Sequence, residues 1–159
     1  MMKRSFRVGF SFGLTSGIIG TLGLMVGLNA SSSSKLVVIG GILAVAIAEG
    51  FSESVGIHIA EEFENRHTER EVWESTFSTF ICKFIFSSIF IIPVLLFELS
   101  IAIIVSVMVG LYVLFLVSLI IARERNAKPW KIIMKHMIIA VLVIFMTHYT
   151  GLWLASIFG

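Results

Sequence analysis

The chain has 159 residues, of which 57% are hydrophobic and 14% are charged, and its mean hydropathy is +1.00. A soluble domain of this length could not bury so much apolar surface, so the composition excludes a soluble protein and predicts an integral membrane protein. The net charge of +2 gives no basic surface for nucleic acid, and the single cysteine, Cys82, excludes an internal disulfide.

Apolar runs long enough to cross a bilayer occur along the whole chain. A crossing needs about 20 apolar residues in a helix, and the first run ends at Asn29 and the serines that follow. The run from residue 84 to 122 is about twice that length and must turn back, which Pro93 and Glu98 favour. The sequence therefore predicts an all-α protein, a single transmembrane domain over residues 1–159, with helices at about 8–28, 36–60, 77–97, 101–122 and 131–158 and an acidic cytoplasmic segment at 61–76.

The positive residues predict the orientation. If the N-terminus is cytoplasmic, eleven of the twelve Lys and Arg residues, Lys83 among them, fall on the inner side, and only Lys35 falls outside. We therefore expect a multi-pass protein of the cell membrane with a cytoplasmic N-terminus and an external C-terminus.

Helix 1 carries small residues at helical spacing. Gly13, Gly17 and Gly20 lie close to one stripe, and Ser16 lies beside it. Such stripes let another helix approach closely, so they predict either a dimer or pathway-lining seam, or packing within one subunit.

Helix 2 carries two acids inside its apolar run. Glu49 and Glu53 are four residues apart, so both carboxylates project from one face, at a depth that Ser16 of helix 1 shares. Two acids side by side in a membrane are costly unless they bind a cation, share protons or line a wet cavity. The spacing predicts an ion-binding or proton-coupled pair, and the alternative is a pair of hydrogen-bonded carboxyls that holds helices together.

The acidic segment offers a second candidate site. Glu64 and His67 form a Glu-x-x-His pair, and with Glu61 they could bind divalent iron, manganese or zinc at the cytoplasmic entrance. The alternative is a solvated helix with ion pairs between Glu62 and Arg66 and between Arg70 and Glu74.

The remaining polar residues indicate packing and not catalysis. His58, His136 and His148 are interpreted as hydrogen-bonded packing residues. The sequence shows no nucleophile and base motif, phosphate-binding loop or HExxH. No enzyme activity and no cofactor are expected.

The glycine pattern of the first two helices resembles a known family. Gly13-Leu-Thr-Ser-Gly17, Gly23 to Gly27, Gly40-Gly41 and Gly50-Phe-Ser52 are similar to motifs of the vacuolar iron transporter (VIT) family. The resemblance implies a homodimer in which helices 1 and 2 of both subunits line the pathway. It also implies export of ferrous iron or manganese from the cytosol in exchange for protons.

Two positions depart from the family pattern. Ser16 stands where the family has an acid in helix 1, and Glu53 stands where it has a methionine in helix 2. The cytoplasmic metal-binding domain of the family is reduced to the acidic segment, so the chain is interpreted as a short member. The alternatives are a scaffold or metal sensor that keeps the fold without transport, and a small cation channel.

Overall fold

The computed structural model describes residues 4–158, and side chains from Ser5 onward. Within these residues, five helical segments are long and apolar enough to cross a membrane. They form a multi-pass helical bundle, as the composition predicted. The helices are α1 (Arg4–Ser32), α2 (Lys35–Glu64), α3 (Glu69–Ser88), α4 (Ile91–Leu96), α5 (Leu99–Glu124) and α6 (Pro129–Phe158).

Local capping determines where the helices meet. The Ser34 side chain accepts a hydrogen bond from the Val37 amide and begins α2 directly after α1. At the other end of α2, Asn65 adopts a left-handed conformation (φ 48°) and stops the helix. Thr68 and Glu71 then form a capping box that starts α3.

The third span starts earlier than predicted. It is predicted at about 77–97, but the helical segment that is long and apolar enough to cross a membrane begins at Glu69 and ends at Leu96, because the capping box starts the helix before the apolar run does. The predicted acidic segment 61–76 is therefore not a separate segment. Its residues belong to the end of α2 and the beginning of α3, and four residues, 65–68, connect the two helices.

The predicted turn in the long apolar run is confirmed. The helix is interrupted after Ser88 and continues as α4, which contains Pro93. Phe97 then takes an extended conformation, and α5 begins at Leu99. The proline and the polar residues that follow it thus turn the chain back across the bundle.

Helix α1 lies at the centre of the bundle. It packs against α2, α3, α5 and α6, most extensively against α3 and α6. Its buried side chains Leu14, Ile18 and Leu22 join apolar residues of α2 and α5 in one core. This position makes α1 the scaffold against which the polar residues of α2 and α3 are held.

The glycine stripe of α1 packs inside the subunit. A Cβ on Gly13 would lie 2.4 Å from the carbonyl oxygen of Thr79 in α3. On Gly17 it would lie 3.3 Å from the carbonyl oxygen of Lys83, and Gly27 meets α6 in the same way, at Thr147. The alternative of a dimer seam on this stripe is wrong, because α3 and α6 of the same chain already cover it.

Candidate ion-binding site inside the bundle

The two acids of α2 share one cation from α3. Lys83 Nζ lies 2.7 Å from Glu49 Oε2 and 2.8 Å from Glu53 Oε1. The lysine side chain is 1% exposed, whereas those of Glu49 and Glu53 are 46% and 23% exposed. The ammonium therefore lies between the two carboxylates, where a cation had been predicted to bind.

Two small residues of α1 complete this site. Ser16 Oγ donates a hydrogen bond of 2.5 Å to Glu53 Oε2, which confirms the common depth expected for these residues. At Gly20, an added Cβ would lie 3.4 Å from Glu49 Oε2 and 3.6 Å from Lys83 Nζ. A Cβ at Gly20 would thus be in ordinary van der Waals contact with both charged groups, which places this part of α1 directly beside the cluster.

The position predicted for Lys83 is wrong. It was counted among the residues at the inner surface, but at 1.5 Å per residue it lies about 21 Å along α3 from Glu69. The early start of α3 moves Lys83 into the middle of the span. Its location in a run otherwise free of charge, at a depth similar to that of Glu49 and Glu53, was the signal that could have identified it.

Glu49 is exposed at an unusual place. It lies about midway along the 30 residues of α2, yet almost half of its side chain is exposed in the isolated subunit. A carboxylate at this depth is costly against lipid and normally faces protein or water. The open side of Glu49 therefore requires a neighbour or a wet passage.

The second candidate site is only partly assembled. Glu61 and His67 line a polar pocket of about 470 Å³ at the end of α2, together with His58 and Glu69. Glu61 is buried and accepts a 2.5 Å hydrogen bond from Ser75, which occupies one of its carboxylate oxygens.

The predicted Glu-x-x-His pair is loosely held. Glu64 lies outside the lining of this pocket, and its carboxylate is 3.5 Å from His67 Nε2. Within residues 4–158, no three His, Cys, Asp or Glu side chains form a group that could hold a metal ion.

Which ion pairs form in this region depends on where α2 ends and α3 begins. Arg70 Nε and Glu74 Oε1 are 3.1 Å apart, which confirms that prediction. Glu62 was expected to pair with Arg66, but its carboxylate lies 3.5 Å from His58 Nε2. The helix ends at Glu64, so Arg66 falls beyond it and loses the spacing of one helical turn.

Two histidines have hydrogen-bonding partners. His58 Nδ1 lies 3.0 Å from Thr76 Oγ1, and His136 Nδ1 lies 2.7 Å from Ser118 Oγ. His148 is exposed, and its ring contacts that of Tyr149. The packing interpretation is confirmed for the first two.

A family comparison agrees with this architecture. The model of the VIT family matches residues 53–152, more than half of the chain. The chain belongs to the VIT family. Membership indicates membrane metal ion transport, and VIT is a transporter family and not a family of enzymes. A search of curated proteins found no match.

The residues that match the family model lie mostly in the later helices of the chain. It begins at Glu53 and ends within α6. Most of it therefore lies outside helices 1 and 2, whose glycine motifs resemble the family. Lys83 and Glu53 lie within the match, whereas Ser16 and Glu49 precede it.

Proposed function

We propose that this protein exports a divalent transition metal, ferrous iron or manganese, from the cytosol in exchange for protons. The observation that supports the proposal is the cluster of Glu49, Glu53 and Lys83 inside the bundle. Carboxylates are suitable ligands for such ions, and Ser16 adds a hydroxyl oxygen next to Glu53.

Charge balance supports an exchange at this site. Two carboxylates balance two positive charges, and the Lys83 ammonium already provides one. A divalent ion bound beside the ammonium would leave excess positive charge in a medium of low dielectric constant, which is costly. The metal must therefore displace positive charge from the cluster, and this competition favours exchange over simple conduction.

We further propose a homodimer whose interface is α2. Small residues at every fourth position form a ridge beside Glu49, and all are exposed in the isolated subunit: Gly40, Ala44, Ala48, Ser52, Gly56 and Ala60. Among the described residues, no atom comes within 4 Å of a Cβ built on Gly40 or Gly56. A second copy on this ridge would approach closely and cover the open side of Glu49.

The pocket at the end of α2 is the proposed entrance. Its lining includes Glu61 and His67, and Glu64 lies beside His67, so a passing cation meets carboxylate and imidazole there. Weak binding suits an entrance, because an ion held tightly would not move on. Calorimetry with manganese should show reduced affinity in Glu64→Ala and His67→Ala; unchanged affinity in both would leave these residues as surface ion pairs.

Proteoliposomes that contain a pH-sensitive dye test metal transport and proton exchange together. Manganese should produce proton movement with the unaltered protein, none with Glu53→Gln, and about tenfold less with Glu49→Gln, a loss of about 1.4 kcal/mol. Glu98→Gln, at the exposed turn before α5, is the matched control and should behave like the unaltered protein. Normal transport by both site variants would contradict the proposal.

A non-transporting scaffold or sensor is the second candidate. It is favoured by the buried Lys83, because two hydrogen bonds to carboxylates can also serve as a permanent link between α2 and α3. In that case the unaltered protein would move neither manganese nor protons in the same assay. A cation channel would pass manganese without moving protons.

A further inference from the structure

A cleft of about 550 Å³ opens between α1, α5 and α6 at the end of the bundle that holds the α5–α6 turn. Arg7, Ser11 and Thr15 line one wall at i, i+4 and i+8, so the wall extends about 12 Å along α1. Arg125, directly after α5, and His136, in α6, also line the cleft. The cleft is thus charged at its mouth and carries hydroxyl groups farther along α1.

Apolar side chains accompany these polar groups. Val8 and Phe12 of α1 each follow a polar residue of the wall, and they line the cleft together with Ile121. Val8 and Phe12 are 41% and 42% exposed. The mouth carries Arg7, Arg125 and Glu124, which together give one net positive charge. A site with such a mouth, hydroxyls below it and apolar walls corresponds to the order of phosphate, glycerol ester and acyl chain in a phospholipid. Metal ions and hydrophilic solutes would not use the apolar walls.

The charge around the mouth favours an anion. Between residues 123 and 135, from the end of α5 through the first turns of α6, the chain carries one acid, Glu124, and this acid is paired with Arg7. His136 has Nδ1 against Ser118, which leaves Nε2 for another partner. The basic side chains of this stretch are exposed: Arg123, Arg125, Lys128, Lys131 and Lys135.

We propose that this cleft binds the headgroup of an anionic phospholipid. Basic pockets between transmembrane helices at the cytoplasmic side are a recurrent way to bind such lipids, and under the predicted orientation this end faces the cytoplasm. Arg125 contacts the phosphate beside the neutral Arg7–Glu124 pair, and the acyl chains follow Val8 and Phe12. The site is separate from the Glu49, Glu53 and Lys83 cluster and does not depend on metal transport.

Native mass spectrometry of the full chain in detergent tests the proposal with three probes: phosphatidylglycerol, phosphatidylcholine and inorganic phosphate. Phosphatidylglycerol should bind most strongly. Arg125→Gln should weaken its binding about tenfold, consistent with loss of a charge-assisted contact. Lys131→Gln, in the first turn of α6 and outside the cleft lining, should change it less than about twofold.

The double variant Arg7→Gln/Glu124→Gln removes the ion pair without changing the net charge of the cleft, so it should weaken phosphatidylglycerol binding less than Arg125→Gln does. Equal binding of the two lipids would overturn the proposal, because it would show no preference for an anionic headgroup. Equal effects of Arg125→Gln and Lys131→Gln would overturn it as well, since binding would then depend on general surface charge. Competition by inorganic phosphate as effective as that by lipid would identify a free-anion site instead.

Discussion

Lys83 is a charged side chain at a position where the membrane and the protein interior both disfavour charge. It is stable there because two carboxylates accept hydrogen bonds from its ammonium group. Removal of one partner from a buried ion pair is more costly than the pair itself is stabilising, since the remaining charge has no counter-charge.

The variant Lys83→Met should therefore unfold with a free energy about 3 kcal/mol lower than that of the unaltered protein. This loss is at the lower end of the range for buried ion pairs, because Glu49 is 46% exposed and its charge is partly screened by solvent. Thermal unfolding in detergent measures the loss, and Lys131→Met, an exposed lysine, is the control. Manganese should restore stability to Lys83→Met more than it stabilises the unaltered protein, because two unpaired carboxylates then bind the ion without competition. Lack of any manganese effect on the variant would contradict a cation site between the acids.

At the scale of the helices, α1 and α2 use small residues in opposite ways. Gly13 and Gly17 of α1 allow α3 to approach within the subunit. Gly40 and Gly56 of α2 have open space around them among the described residues. Small residues thus have different roles in the two helices, internal packing in α1 and the proposed subunit contact in α2.

A pair of leucine substitutions separates these roles. Gly13→Leu should force α1 from α3 and destabilise the subunit by about 1–3 kcal/mol, as overpacking does. Gly56→Leu should leave the subunit as stable as before and abolish the dimer. Thermal unfolding measures the first effect, and the mass of the detergent-extracted protein measures the second. A dimer that survives Gly56→Leu would show that the subunits meet elsewhere.

At the scale of the whole molecule, we expect the five candidate crossings within residues 4–158 to put the two ends of this stretch on opposite sides of the membrane. The Lys and Arg residues of the α5–α6 turn predict that this turn is cytoplasmic. The α1–α2 turn at Ser33 is then external, since α1 crosses the bilayer once before it.

Cysteine labelling determines this orientation. A membrane-impermeant maleimide added to intact cells should label Ser32→Cys and should reach Lys128→Cys only after permeabilisation. Cys82 is buried, so the unaltered protein is the background control. Labelling of Lys128→Cys but not Ser32→Cys in intact cells would reverse the predicted orientation.

Most of the helices could be predicted from local sequence patterns. Hydropathy predicted five spans, and Pro93 with Glu98 predicted the turn between the third and the fourth, because the membrane requires apolar residues over a definite length. The start of α3 was missed, since a capping box at Thr68 can begin a helix among charged residues whatever the hydropathy.

The sequence by itself determined that the chain spans a membrane and that Glu49 and Glu53 share one helical face, because both follow from composition and from spacing within one helix. Only the tertiary structure decided that their partner is Lys83, 30 residues beyond Glu53, and that the α1 glycines face α3 and α6 of the same chain. Contacts between distant segments depend on how the helices rotate and shift against one another. Periodicity within a single helix contains no information about that arrangement.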